Sequence, residues 1–224
     1  MSTSDALEPS GPTFRITLPS SDVGVRGFHA APDEGHVFSW VDWVSALLGE
    51  AERLYGPRNR DWFFAGIEFT DDNDAPCIYR PGSRDGHVGI MLESAFRDDV
   101  AHSCIKLAHE VVHLLGPAWE NDEDGKRIPA NVMEEGIATR FQAKVAEAIG
   151  ASFSPQDPAY ADAMAAADEL FAVDQDAVRK IRAEFPNLRK VGAADIPRIV
   201  PGVDPDLAER LAHSFAGRTP QQTT

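Results

Sequence analysis

His109-Glu110-Val111-Val112-His113 lies inside an apolar helical stretch, and after a break the chain reads Asn131-Val132-Met133-Glu134-Glu135-Gly136-Ile137-Ala138-Thr139. On an α-helix, residues four apart are about 40° apart around the axis and about 6 Å apart along it. The imidazoles of His109 and His113 can therefore meet on one cation. Glu110, about 100° round from His109, then lies beside the cation rather than on it, where it can hold a water and take its proton. Two imidazoles make an incomplete site, because a catalytic zinc ion usually has three protein ligands and keeps a fourth position for water.

The third ligand should come from a later element packed against the motif helix, and a carboxylate would complete a His₂Glu set. Glu134 and Glu135 stand side by side as candidates. On their own helix Glu134 falls in line with Ile137, Phe141 and Val145, whereas Glu135 falls in line with Ala138 and Gln142, next to a small residue that lets a second helix approach closely. Periodicity leaves both open.

Glu135-Gly136-Ile137-Ala138-Thr139 resembles the Glu-Gly-aromatic-Ala-Ser/Thr stretch that carries the glutamate ligand in gluzincin metallopeptidases, particularly their aminopeptidase branch. The resemblance extends over roughly Phe63 to Ala148 and rests on two short motifs in the right order. It implies that His109, His113 and Glu135 hold Zn2+, with Glu110 as general base. It also implies a zincin-like core whose last strand before the motif helix forms the sheet edge and pairs with substrate as an added strand. His87-Val88-Gly89-Ile90-Met91-Leu92 is placed to be that strand. Gly89-Ile90-Met91-Leu92-Glu93 is similar to the Gly-x-Met-Glu-Asn motif that grips a substrate amine, but one residue out of register. On a strand, that slip turns the carboxylate to the other face unless a bulge intervenes, so no amine-binding role is carried over. In the same family a downstream Tyr or His commonly donates to the oxyanion of the attacked carbonyl. Tyr160 and His213 are candidates of those types, and Arg140 is a third.

The surrounding sequence predicts an α+β arrangement: a small, mostly antiparallel sheet, a motif helix and a glutamate helix packed together, and a helical C-terminal part. Phe14 to Leu18 alternates as a short strand. Val37 to Tyr55 reads as a helix with Trp40, Val44, Leu47, Leu48 and Ala51 on one stripe. Strand-like runs follow at Trp62 to Phe69, Cys77 to Arg80 and His87 to Leu92, separated by turn-rich segments. The motif helix is expected from about Ala95 to Leu115, and the glutamate helix from a cap at Asn131 to about Ile149. Helices are also expected at Pro158 to Val173, Gln175 to Phe185, Ala193 to Ile199 and Pro205 to Phe215. This gives a disordered tail over 1–12, a catalytic domain over 13–150, a helical subdomain over 151–216 and a second tail over 217–224.

Ile196 to Leu211 resembles a helix-hairpin-helix, an element that grips nucleic-acid phosphates through exposed backbone N–H groups. Asp204 replaces its second glycine and Asp206 lies close by, so the carboxylates oppose an anion and a packing hairpin is expected. His102 lies about 10 Å along the helix from His109, too far to share its cation. Asp71 to Asp74 and Asn121 to Asp124 lack the oxygen spacing and distal Glu of a calcium loop, and read as solvated turns.

With 224 residues, 43% hydrophobic, the chain can build a real core. Its formal charge of −15 disfavours polyanionic partners such as DNA. No apolar run approaches the length of a membrane span, and Met1 to Ser21 lacks the pattern of a secretory signal, so the expected compartment is the cytoplasm. Cys77 and Cys104 form neither a disulfide framework nor a Cys-x-x-Cys pattern, and Cys104 falls on the apolar side of the motif helix. The expectation is a zinc-dependent metallopeptidase acting on a peptide or protein, without nucleic-acid or membrane partners. Two other readings are a regulatory HExxH metalloprotein acting on one protein partner, such as a repressor, and an interaction module whose metal site is idle.

Overall fold

The computed structural model describes residues 38–71, 76–81, 86–97, 99–117 and 128–215. The strand expected at Phe14 to Leu18, both expected tails and the acidic loop from Glu120 to Gly125 lie outside the described residues, as do most of the two turns around Asp72 and Gly82. The fold is α+β: a three-stranded sheet and seven α-helices among the described residues. Helix α1 (Phe38–Tyr55) precedes strands β1 (Phe63–Thr70), β2 (Cys77–Tyr79) and β3 (His87–Glu93). Then come α2 (Val100–His113), α3 (Val132–Ala148), α4 (Pro158–Val173), α5 (Ala177–Glu184), α6 (Asp195–Ile199) and α7 (Pro205–Ala212).

The apolar stripe of α1 is buried as its periodicity requires, with Leu47 and Ala51 fully enclosed. Tyr55 at its end meets Phe141 edge-on at 6.0 Å and Phe171 at 6.1 Å, which joins α1 to α3 and α4. Val88, Ile90 and Leu92 of β3 enter the same core, and β2 and β3 pack on α2.

The sheet departs from the sequence expectation. Its order is β1-β3-β2, with β1 parallel and β2 antiparallel to β3, so the sheet is mixed rather than mostly antiparallel. His87 to Leu92 lies in the middle, not at the edge. Three consecutive residues, Val88, Gly89 and Ile90, are buried, and a strand so enclosed needs both rows of backbone groups paired. Close spacing correctly paired β2 with β3 as antiparallel neighbours, but it carried no information about which side β1 would take. β1 starts beside β3, with the Phe63 N–H donating to the carbonyl of Gly86 at 2.6 Å.

Helix α2 begins later than expected. Ser94–Phe96 forms a 3₁₀ turn, and Asp99 restarts the chain as an N-cap whose carboxylate accepts from the His102 N–H at 2.9 Å. Cys104 is buried, and burial pushes its thiol up to about 12, which suits packing rather than reactivity. At the other end of α2, Gly116 lies against the chain after α5. A Cβ there would stand 2.3 Å from the Pro186 carbonyl oxygen, so only glycine permits this approach.

Arg182 of α5 is buried and donates to four main-chain carbonyls. These are Tyr55, Gly56 and Pro57 after α1, at 3.3, 2.8 and 3.1 Å, and Leu115 after α2, at 2.8 Å. One guanidinium thus ties together the C-terminal ends of two helices, where partial negative charge collects. Helices α6 and α7 form the expected packing hairpin. Ile196, Val200, Val203, Leu207 and Leu211 are buried, and the Asp204 carboxylate accepts from the Asp206 N–H at 2.9 Å, occupying the helix end that a phosphate would need. No helix among the described residues is long and apolar enough to cross a membrane.

Candidate metal centre

Helices α2 and α3 pack side by side, and the last turns of α2 carry their polar side chains into the interior rather than to solvent. His109, Glu110 and His113 are 7%, 3% and 6% exposed, and Glu135 on α3 is 8% exposed. Each of His109, His113 and Glu135 offers a ligand atom, all within 4.8 Å of one another. His109 Nε2 lies 3.1 Å from Glu135 Oε2, and His113 Nε2 lies 3.6 Å from Glu135 Oε1. Two donors each about 2.0–2.1 Å from a tetrahedral zinc ion stand about 3.3–3.4 Å apart. The two separations straddle that value, so the three side chains are placed to close on a small divalent ion.

The order of α3 follows from its first turn. Asn131 caps it, its Oδ1 accepting from the Glu134 N–H at 2.9 Å. That start places Glu134 and Glu135 in the first turn, facing α2. Glu135 reaches both imidazoles, whereas Glu134 accepts from His113 Nδ1 at 2.7 Å on the far side of the ring. The choice that periodicity left open is thus divided between them, one carboxylate beside the two Nε2 atoms and one behind a ring. Thr139 donates to the Glu135 carbonyl at 2.8 Å and holds the next turn.

Gly136 brings a further helix to the site. A Cβ at this position would lie 2.1 Å from the Ala163 carbonyl oxygen, so α4 crosses α3 at a distance that only glycine allows. One turn before Ala163, Tyr160 presents its ring to His109 at 5.7 Å, edge-on, and Phe215 packs on Tyr160 at 4.7 Å. Phe215 is itself pinned, its N–H donating to the Ala130 carbonyl at 2.8 Å. Of the three oxyanion candidates, the structure brings Tyr160 to the site. Arg140 is turned to Asp168 at 2.6 Å and lies over the Phe171 ring, and the His213 side chain is exposed. His102 is outside the group, stacked on Phe96 at 3.8 Å.

Sequence reasoning missed Arg189. It lies on the 3₁₀ turn Leu188–Lys190, and its Nε donates to Glu134 Oε2 at 2.7 Å while its Nη2 reaches Oε1 at 3.3 Å. The partners are 55 positions apart, and no local pattern announces the contact.

Electrostatics follow from burial and proximity. Burial pushes the Glu110 carboxyl above the usual carboxylate range, opposed only in part by His109 and His113. Burial would lower the His113 pKa, yet Glu135, Glu134 and Glu110 outweigh it and raise it to about 9. At Glu134, burial acts upward but Arg189 and His113 bring the carboxyl down to about 2. Glu135 is likewise held low, His113 and His109 outweighing burial. Burial, followed by Glu135 and Glu110, raises the Tyr160 phenol, which therefore keeps its proton and remains a donor. Glu110, Glu134 and Glu135 are three buried carboxyls; Arg189 is bonded to Glu134, and the proton that His113 holds answers Glu135. A divalent ion bound at the imidazoles would take the place of that proton.

No protein-family model, curated protein or solved structure matches the chain.

Proposed function

We propose that the protein is a zinc-dependent metallopeptidase. The observation that carries this reading is the convergence of the His109, His113 and Glu135 donor atoms within 4.8 Å in a buried site, with the Glu110 carboxyl enclosed beside them. Two imidazoles and a carboxylate make a donor set suited to zinc, with a position left for water or substrate. A bound zinc ion would supply Lewis-acid polarisation of the scissile carbonyl and acidify a water at the same site.

The chain's own residues do the rest. Glu110 takes a proton from the attacking water and delivers it to the leaving nitrogen as the C–N bond breaks. Burial holds its carboxyl above the usual carboxylate range, which strengthens it as a base toward the water's proton. Tyr160, kept protonated, donates to the oxygen that gains charge as the carbonyl becomes tetrahedral. Since β3 is enclosed on both sides, an extended substrate would pair instead on the β2 side of the sheet, where β2 ends the strand order among the described residues. β2 packs on α2, the helix that carries His109, Glu110 and His113.

Purified protein should contain about one zinc per chain and cleave members of a peptide library. A chelator should stop cleavage, and zinc should restore it. Glu110→Gln should retain the metal and lose turnover, because the amide cannot take the proton. Hydrolysis at the native rate in that variant would refute the mechanism. Bound zinc with no cleavage of any peptide would shift the reading to an idle site or a single protein substrate.

A further inference from the structure

We propose that Glu134 and Arg189 are a positioning pair that fixes the His113 ring with its Nε2 free to coordinate. The metal affinity of the centre then depends on a turn far downstream of both motifs. This inference rests on the metal-site reading above and extends it to residues that touch no substrate.

Glu134 is buried and its carboxylate lies between two donors. His113 Nδ1 donates to Oε1 at 2.7 Å, and Arg189 grips the same group through Nε at 2.7 Å and Nη2 at 3.3 Å. An ionised carboxylate only accepts hydrogen bonds, so this contact places a proton on His113 Nδ1. Once metal binding makes the ring neutral, its lone pair is on Nε2, the atom that faces Glu135 Oε1 at 3.6 Å. A ring turned over about its Cβ–Cγ bond would lose the Glu134 contact and present its Cε1 carbon where Nε2 now stands. Glu134 therefore sets both the ring's orientation and its tautomer, as partners of ligating histidines do.

A carboxylate this deeply buried needs a counterion, and the two-pronged guanidinium supplies one with fixed geometry. Arg189 is held in turn. Its Nη1 donates to the Ile128 carbonyl at 3.1 Å, and Asn187 caps its turn by accepting from the Arg189 N–H at 3.0 Å. Asn131 donates through Nδ2 to the Leu188 carbonyl at 2.8 Å, while its Oδ1 starts the glutamate helix. One side chain thus sets the position of Glu134 and of the turn that neutralises it. A lysine could match the charge of Arg189 but not the two-point grip.

The test uses the full chain, with zinc affinity measured by chelator competition for wild type, Glu134→Gln, Arg189→Met and Arg189→Lys. Nitrogen-15 NMR of the His113 ring in zinc-loaded wild type reports which nitrogen carries the proton. The expected result is a proton on Nδ1 and metal on Nε2, with affinity about 10- to 100-fold weaker in Glu134→Gln and Arg189→Met. Arg189→Lys should fall between wild type and Arg189→Met. Coordination through Nδ1, or affinities within twofold of wild type in the variants that fold, would overturn the proposal. If Glu134→Gln does not fold, the wild-type ring signal and Arg189→Lys still decide. Wild type that binds no zinc overturns the metal centre and this proposal with it, whereas tight zinc binding that the variants leave unaltered overturns this proposal alone.

Discussion

The guanidinium of Arg182 and the cluster around His113 are both buried, polar and assembled from distant parts of the chain, but they close in different ways. Arg182 meets four main-chain carbonyls at helix ends, so its charge is answered by fixed dipoles and needs no guest. The candidate metal centre gathers three carboxyls around two imidazoles, and Arg189 is bonded to one of them, Glu134. Its donors face inward toward one another, and against burial Glu135, Glu134 and Glu110 raise the His113 pKa to about 9, so without a cation the group balances its charge by holding a proton. The difference separates a constellation that closes through fixed dipoles from one that closes by holding a proton, as a candidate cation site does.

The sharpest way to break this contrast is to remove each constellation and ask whether metal matters. Arg182→Met should cost at least about 3 kcal/mol, because several buried carbonyls lose their donor, and the loss should be the same with and without zinc. Denaturant unfolding in zinc and in chelator measures it. Under the same protocol wild type should gain about 4 kcal/mol from zinc at a thousandfold excess over its Kd, and His109→Ala should gain none. Equal zinc dependence in wild type and His109→Ala would erase the distinction.

Tyr160→Phe sharpens the contrast within the site itself. Losing one oxyanion donor should lower kcat about 10²- to 10³-fold, while zinc affinity stays at the wild-type value because the phenol is no ligand. Steady-state kinetics beside chelator competition separate the two quantities. A large fall in zinc affinity would instead make Tyr160 part of the metal shell.

The smallest effects compare the two close crossings. Gly116→Ala and Gly136→Ala each force a Cβ against a backbone carbonyl and should each cost about 1–3 kcal/mol. Only Gly136→Ala should also reduce turnover, since it moves the helix that carries Tyr160. Matching losses of turnover in both variants would show that general loosening is responsible.

Much of this was legible one residue at a time. The spacing of His109, Glu110 and His113 needs only the helix period, and the Asn131 cap and the apolar stripe of α1 are equally local. The packing role of the α6–α7 hairpin followed from carboxylates standing where an anion would bind. Assigning Glu135 required its resemblance to a known stretch, since Glu134 and Glu135 are both buried and periodicity leaves both open. The position of β3 was misread because strand spacing does not record which side a third strand takes. Among the oxyanion candidates nothing local separated Tyr160 from Arg140, whose guanidinium is occupied by Asp168.

The sequence by itself determined the components: two imidazoles and a carboxyl on one helix face, a capped helix bearing two further carboxyls, and the α+β class. Tertiary structure alone decided their division of labour. Which glutamate meets the Nε2 atoms, which stands behind His113, and which arginine and tyrosine arrive from the later helices depend on how whole elements pack. The reason is range: helix periodicity acts over a few residues, whereas the Glu134–Arg189 contact spans 55 positions and exists only once the core has closed around it.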